Sequence, residues 1–190
     1  MTHPPPRPTP LVTIRLATSG DADALARILA DQLRESYPGH VGSTAAELRR
    51  DVLGPSTSGR PRQAVLVAET AAGALVGFVA WDVIYDMHWA SYGAQVADFY
   101  VAPAHRGRGL ALELVAHLAA AVHETGGAFI RGGAYDRAST RRFYARIAVV
   151  MASGETHLGG RALRHLAALA GRPARTILGA LPPVEWNHEP

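Results

Sequence analysis

The strongest constraint on the fold lies at residues 96–118, VADFYVAPAHRGRGLALELVAHL. An apolar and aromatic run predicts a strand that ends near Pro103, because proline lacks the N–H that a strand interior needs. Gly107 and Gly109 predict a tight turn, and a helix then follows at once over about 107–125. One helical stripe is formed by Leu110, Leu114, Leu118 and Val122. The segment therefore predicts strand, glycine turn and amphipathic helix in immediate succession.

This turn has the chemistry of an anion site. A helix N-terminus carries unpaired N–H groups and a partial positive charge. Glycines let the backbone approach a phosphate closely, and Arg106 and Arg108 add charged donors. The simpler alternative is a tight turn whose arginines are solvated. A dinucleotide-binding Gly-x-Gly-x-x-Gly pattern is not favoured, because its third glycine position is Leu112.

The remaining segments predict an α+β domain with a mixed sheet. Strands are predicted at 11–17, 63–70, 74–85, 94–101, 128–135 and 149–158. Helices are predicted at 18–36, 43–53, 107–125, 136–148 and 160–171. The strands on either side of Ala71–Gly73 are expected to form a hairpin. Three parts are expected along the chain: a flexible proline-rich tail at 1–10, a domain at 11–158, and a helix and tail at 159–190 packed on that domain.

Composition excludes several kinds of site. The 190 residues suit one domain, and they include neither cysteine nor lysine. This excludes thiol nucleophiles, cysteine–zinc sites, Schiff-base lysines and Walker-type phosphate loops. The nine histidines form no metal pattern, and a net charge of +3 is too small to argue for nucleic acid as a partner. With no apolar run long enough for a bilayer and no signal-peptide pattern, no membrane partner and a cytoplasmic location are expected.

The turn and its strand resemble the acetyl-CoA-binding motif of the GNAT superfamily of acyl-CoA N-acyltransferases. That motif is Arg/Gln-x-x-Gly-x-Gly/Ala after a strand ending Val-x-Pro, and here residues 106–111 follow Val101-Ala102-Pro103. STRRFYARIA, at 139–148, is similar to the second motif of the superfamily. The likeness spans about 12–158 and is closest to the diamine (spermidine/spermine-like) branch. It implies a GNAT-like fold, a mixed and mostly antiparallel central sheet flanked by helices.

The resemblance implies acetyl-CoA as cosubstrate, no metal, and a set of residues that hold the cofactor. The strand backbone would pair with its pantetheine arm, and the turn would hold its pyrophosphate. The residues concerned are Phe99, Tyr100, Val101, Arg106, Gly107, Arg108, Gly109, Leu110, Ala111 and Leu112, with Arg137 reaching the phosphates. Relatives of this kind are often dimers, so a homodimer is also expected.

Two catalytic residues are implied by the same resemblance. Tyr144 matches the tyrosine that protonates the departing sulfur; its alternative is a half-buried tyrosine bonded to a backbone carbonyl. Asp98 would orient the amine or deprotonate it through water, and its alternative is a structural carboxylate paired with a neighbour on the sheet. The sequence departs from the branch at Ala97, where a glutamate is common, and at Arg137, where an asparagine is common. Asp136 is interpreted as a helix cap.

The acceptor is expected to be a cationic amine, because carboxylates and aromatic faces lie close together in the sequence. The acceptor-binding candidates are Tyr37, Asp82, Asp86, Trp89 and Tyr92, with His40 and His88 nearby. The alternative is that Trp81 and Trp89 pack in the core and the aspartates are solvated.

The expected function is transfer of an acetyl group from acetyl-CoA to the primary amine of a small cationic acceptor, such as a polyamine, an amino acid or an aminoglycoside. Attack would be direct, in a ternary complex, since the chain has no thiol to carry the acyl group. Protein N-termini or lysines are the alternative acceptors. Two competing hypotheses are a non-catalytic acyl-CoA-binding module and a nucleic-acid-binding regulator that uses the arginine-rich helix.

Overall fold

Seven strands and six helices make up the fold in the computed structural model, which describes residues 12–55, 63–133, 138–150 and 154–181. The strands are β1 (Val12–Leu16), β2 (Ala64–Thr70), β3 (Leu75–Asp86), β4 (Ser91–Val101), β5 (Phe129–Gly133), β6 (Val149–Val150) and β7 (Glu155–Gly159). The helices are α1 (Ala22–Ser36), α2 (Ala45–Glu47), α3 (Leu110–Glu124), α4 (Ala138–Tyr144), α5 (Gly160–Ala168) and α6 (Ala174–Gly179). Single helical turns occur at Ser19–Asp21, Leu48–Val52 and Pro103–His105. The predicted tail at 1–10 and the site candidate Arg137 lie outside the described residues.

The sheet is mixed, as the order of the segments predicts, and mostly antiparallel, as the resemblance implies, with strand order β1-β2-β3-β4-β5-β7-β6. Among the described strands, only the pair β4–β5 is parallel, and its ladder joins Gly93–Gln95 to Phe129–Arg131. β4 continues to Val101 after this ladder has stopped. The edge of β4 that faces β5 over 96–101 therefore takes no part in that ladder.

Several elements differ from the prediction. The helix expected at 43–53 is divided into α2 and the Leu48–Val52 turn, and β4 begins at Ser91 rather than at residue 94. The strand expected at 149–158 is divided into β6 and β7. α3 begins at Leu110 rather than near 107, because the turn before it contains left-handed glycines. The sequence does not predict α6, since its six residues are too few for helical periodicity to be recognised.

Helices cover the two faces of the sheet with separate apolar cores. The first core packs α3, α5 and α6 against one face, and Leu114, Leu118 and Leu163 are among its most deeply buried large side chains. The second packs α1 and the Leu48–Val52 turn against the other face, around Leu25 and Phe78. In the described residues, no helix has both the length and the hydropathy needed to span a membrane.

A β-bulge at Ala97 determines which side chains of β4 reach each face. Asp98 pairs with Ala80 and Val96 pairs with Trp81, so Ala97 is the extra residue between them. After the bulge, Tyr100 packs in the second core, beneath α1. Phe99 and Val101 pack in the first core, beneath α3. β4 thus presents Asp98 towards α1 and Phe99 towards α3.

Candidate active site

The predicted anion site is a turn with an uncapped helix start. Gly107 and Gly109 have φ of +72° and +91°, so both adopt the left-handed conformation that glycine tolerates best. Gly109 is the N-cap of α3 and has no side chain to cap it, while its carbonyl accepts from the N–H groups of Leu112 and Glu113. Helix geometry leaves the N–H groups of Leu110 and Ala111 directed out of the first turn. The turn therefore has the donors that an anion requires.

The two glycines have different surroundings. No heavy atom lies within 4 Å of the position where a Cβ on Gly107 would sit, so this side of the turn is open. A Cβ on Gly109 would lie 2.1 Å from the Cβ of Ala174 in α6. The N–H of Ala174 also donates to Glu113 Oε1, at 2.8 Å. Gly107 is thus open to a ligand, whereas Gly109 is required for packing against the C-terminal helix.

The two arginines of the turn also differ. The guanidinium of Arg106 donates to both carboxylate oxygens of Glu35, at 2.8 and 2.6 Å, and through Nε to the carbonyl of Val101, at 2.7 Å. It also lies 5.3 Å from the centre of the Tyr100 ring. The hydrogen bonds to Glu35 raise the pKa of Arg106 above its ordinary value. Arg106 therefore ties the end of β4 to α1, and the side chain of Arg108 is exposed at the turn.

An apolar cavity lies on the α3 side of the sheet, where the β4–β5 ladder ends. Its walls include Val96, Phe99, Val115, Ile130, Tyr144 and Thr156. Tyr144 lies on α4, with its ring edge-on to Phe143 at 5.2 Å. Burial raises the pKa of the Tyr144 hydroxyl, so the hydroxyl remains protonated at neutral pH. Tyr144 can therefore act as a proton donor in an apolar cavity.

The opposite face of β4 carries the candidate base. Asp98 is partly exposed, and its Oδ1 accepts a hydrogen bond of 3.0 Å from Nε2 of Gln32 on α1. Sequence reasoning missed Gln32, which is only 2% exposed. The available signal was its helical spacing from Leu25 and Ile28, which places a polar residue on a buried stripe. The partner of Asp98 is thus a helix residue rather than a neighbour on the sheet.

A row of polar residues crosses the same face next to Asp98. The pairing of β3, β4, β5 and β7 aligns Asp82, Gln95, Arg131 and His157. Gln63 donates to Asp82, at 3.0 Å. These four side chains form a polar row on the face of the sheet that also carries Asp98.

Asp86 and Trp89 lie at the hairpin end of this face. Asp86 is buried and forms an ion pair with Arg131, and its Oδ1 accepts from the N–H of His88 at 2.8 Å. Burial acts to raise the pKa of Asp86, but the His88 N–H and the Arg131 charge together lower it. Asp86 is six residues along β3 from Ala80, the partner of Asp98, or about 20 Å. Trp89 lies 6.3 Å from His157, between ring centres.

The remaining acceptor candidates are placed apart. Tyr37 follows α1 and contacts His40, with 5.8 Å between the ring centres. Tyr92 contacts Tyr85 at 4.9 Å and alternates with the residues of β4 that face α1, so it lies on the other side of the sheet. The structure therefore brings Asp82, Asp98 and Gln32 to one face and separates Tyr92 from them. Within the described part of the chain, no group of three His, Asp or Glu residues has the arrangement of a metal site.

Solved structures with this fold include several acetyltransferases. A ribosomal-protein-alanine N-acetyltransferase from Brucella melitensis biovar Abortus 2308 is 25% identical, with a TM-score of 0.61 over 74% of this chain and 94% of that chain. An aminoglycoside acetyltransferase from an uncultured soil metagenomic sample is 22% identical, with a TM-score of 0.54 over 68% and 83% of the two chains.

A third structure contains coenzyme A. The Paia N-acetyltransferase from Thermoplasma acidophilum, in complex with coenzyme A, is 14% identical, with a TM-score of 0.60 over 79% of this chain and 99% of that chain. Among curated protein sequences, no significant match is found. The sequence pattern of the Acetyltransferase (GNAT) family matches residues 23–148, well over half of the chain. The chain therefore belongs to the GNAT family of acetyltransferases.

Proposed function

We propose that this protein transfers an acetyl group from acetyl-CoA to the primary amine of a small cationic acceptor. The observation that carries the proposal is the bulged strand β4. Its end leads into the uncapped start of α3, and its two faces present Asp98 on one side and the cavity with Tyr144 on the other. An anionic cofactor and a cationic acceptor can thus approach one strand from different sides.

The turn fits the diphosphate of coenzyme A. Gly107 is open on the side where a Cβ would otherwise stand, and the first N–H groups of α3 are uncapped. We assign the cofactor's phosphates to the backbone of Gly107, Leu110 and Ala111, with Arg108 as the charged side chain. The stretch of β4 at 99–101, which lies beyond the β4–β5 ladder, supports the assignment of the pantetheine arm. When bound, acetyl-CoA supplies the thioester that the amine attacks.

Asp98 and Tyr144 divide the proton transfers in this proposal. The carboxylate of Asp98 attracts the ammonium group and takes its proton, directly or through water. Tyr144 keeps its proton at neutral pH and gives it to the sulfur that departs. The chain contains no cysteine, so the acyl group passes directly to the amine rather than through a thiol of the enzyme.

The side chains on the face of the sheet that carries Asp98 support a cationic substrate. Asp82 and Asp98 provide negative charge near the bulge, and the aromatic Trp89 lies farther along the same face. Among the solved structures with this fold, one is an aminoglycoside acetyltransferase and another a ribosomal-protein-alanine N-acetyltransferase. We favour the small amine because the carboxylates of Asp82 and Asp98 are both partly exposed, and a protein N-terminus is the second candidate.

The first experiment is thermal unfolding with acetyl-CoA, with coenzyme A and with NAD as a dinucleotide control. A ligand at about one hundred times its Kd adds roughly 2.7 kcal/mol, which is a shift of about 5 to 10 °C for a domain of this size. We expect both coenzyme A species, and not NAD, to raise Tm. No shift with saturating acetyl-CoA would contradict the cofactor assignment.

Turnover is measured next by release of the coenzyme A thiol, which a thiol-reactive dye reports without background from this cysteine-free protein. The acceptors are spermidine, kanamycin and a peptide with an N-terminal alanine, at mildly alkaline pH. We expect one amine to be acetylated and the variant Asp98→Ala to lose most of that activity. A Tm shift without turnover on any acceptor would identify a binding module instead of an enzyme.

A further inference from the structure

Gln32 is a buried polar residue on a helix stripe that is otherwise apolar. It follows Leu25 and Ile28 on the inner side of α1, and it is as buried as they are. Its Nε2 donates to Asp98 Oδ1, whereas its Oε1 is buried and accepts no hydrogen bond from any described residue. Burying a carbonyl without a donor lowers the stability of the fold. A leucine or methionine at this position would avoid that penalty.

The orientation of the amide follows from the charge of its partner. An ionised carboxylate only accepts hydrogen bonds, so the NH₂ end of Gln32 must face Asp98. A protonated carboxyl group also has an O–H to donate, and the carbonyl end of the amide can accept it. The last side-chain torsion of glutamine is broad and roughly two-fold. A rotation of 180° about this bond therefore exchanges the positions of the carbonyl oxygen and the NH₂ group, and the amide still fills the same space. In either orientation, one end of the Gln32 amide bonds to Asp98 and the other end of the amide is buried.

We propose that Gln32 is a positioning residue that holds Asp98 in both of its protonation states. The inference rests on the proposed function, in which Asp98 takes a proton from the acceptor. Before transfer, Nε2 of Gln32 donates to the ionised carboxylate. When an N–H bond of the ammonium breaks, its electron pair stays on nitrogen and its proton bonds to Asp98. The rotated amide then accepts the new O–H through Oε1, until Asp98 returns the proton to water.

The test separates positioning from a structural role by comparing stability with turnover. Gln32→Met keeps the length of the side chain and removes both hydrogen-bonding ends. We expect its Tm to equal or exceed that of the wild type, because the unpaired carbonyl is gone. We expect kcat with the best of the three amines to fall about tenfold, with KM for acetyl-CoA unchanged. The matched control is Ile28→Met, one turn away on the same buried stripe, which should keep the wild-type kcat.

A double-mutant cycle shows whether Gln32 acts through Asp98. In the Asp98→Ala background, Gln32→Met should reduce kcat no further, because the group it positions is absent. Gln32→Leu gives the same comparison if the methionine variant folds poorly. Wild-type kcat in Gln32→Met, an undiminished effect in the Asp98→Ala background, or a joint loss of Tm and coenzyme A binding would each overturn the inference. Wild-type protein that acetylates none of the amines would overturn the proposed function as well.

Discussion

Tyr144 is the residue whose proposed role depends most on its surroundings. A solvent-exposed tyrosine has a pKa of about 10, and burial in the apolar cavity raises it further. The hydroxyl therefore keeps its proton throughout the pH range in which amines begin to lose theirs. Tyr144 therefore meets one requirement of a donor to a departing thiolate, which is that the donor is protonated at the working pH.

Replacing Tyr144 by phenylalanine removes the hydroxyl and leaves the ring packing against Phe143. We expect kcat to fall by about 10²-fold or more, and the affinity for acetyl-CoA measured by titration to stay nearly the same. Wild-type kcat should show no alkaline decline below about pH 9, because the raised pKa keeps the donor protonated. Equal turnover in Tyr144→Phe would remove this residue from the proposed mechanism.

At the scale of elements, the start of α3 is shaped by two glycines that do different things. Both have positive φ, so any other residue is strained at either position. Only Gly109 also lies against another element, because Ala174 of α6 occupies the space beside it. The glycine pair that predicts an anion site thus contains one open position and one packing position.

Comparing Gly109→Ala with Gly107→Ala measures this difference. Gly107→Ala should lower the free energy of unfolding by about 1–2 kcal/mol, from backbone strain alone. Gly109→Ala should lower it by about 2–5 kcal/mol, since the new methyl group also overlaps Ala174. Urea unfolding provides both values. Adding Ala174→Gly should recover part of the loss in Gly109→Ala and none in Gly107→Ala; equal losses in the two single variants would exclude the packing role.

At the scale of the whole molecule, the segment after residue 158 contributes to the core beneath α3. Leu163, Leu166 and Ile177 are among its most deeply buried side chains. Neither α5 nor α6 belongs to the stretch matched by the family pattern, which ends at residue 148. In this chain, the C-terminal helices therefore help to hold the helix whose first turn forms the proposed anion site.

Leu163→Ala tests that contribution against an exposed leucine of the neighbouring helix. We expect it to reduce the free energy of unfolding by about 2–5 kcal/mol, because it leaves a cavity between α5 and α3. Leu178→Ala, where the leucine is 43% exposed, should change it by less than about 0.5 kcal/mol. Similar values for the two variants in denaturant unfolding would show that the C-terminal helices add little to the core.

Particular residues show how far prediction from sequence extends here. The hairpin at Ala71–Gly73, the mixed sheet of an α+β domain and the helix after Gly109 follow from local patterns, and the structure contains each of them. The role of Arg106 does not follow in this way. Its neighbours in sequence favour phosphate binding, but its guanidinium meets Glu35, which is 71 residues away.

The sequence by itself determines the glycine turn and the strand and helix on either side of it, because glycine geometry, periodicity and proline act within a few residues. Only the tertiary structure decides that Gln32 meets Asp98 across 66 residues, or that Ala174 packs on Gly109. It also decides that Asp82, Gln95, Arg131 and His157 form one row, since strand order and register place them side by side. Such contacts depend on how whole elements pack, which no short stretch of sequence encodes.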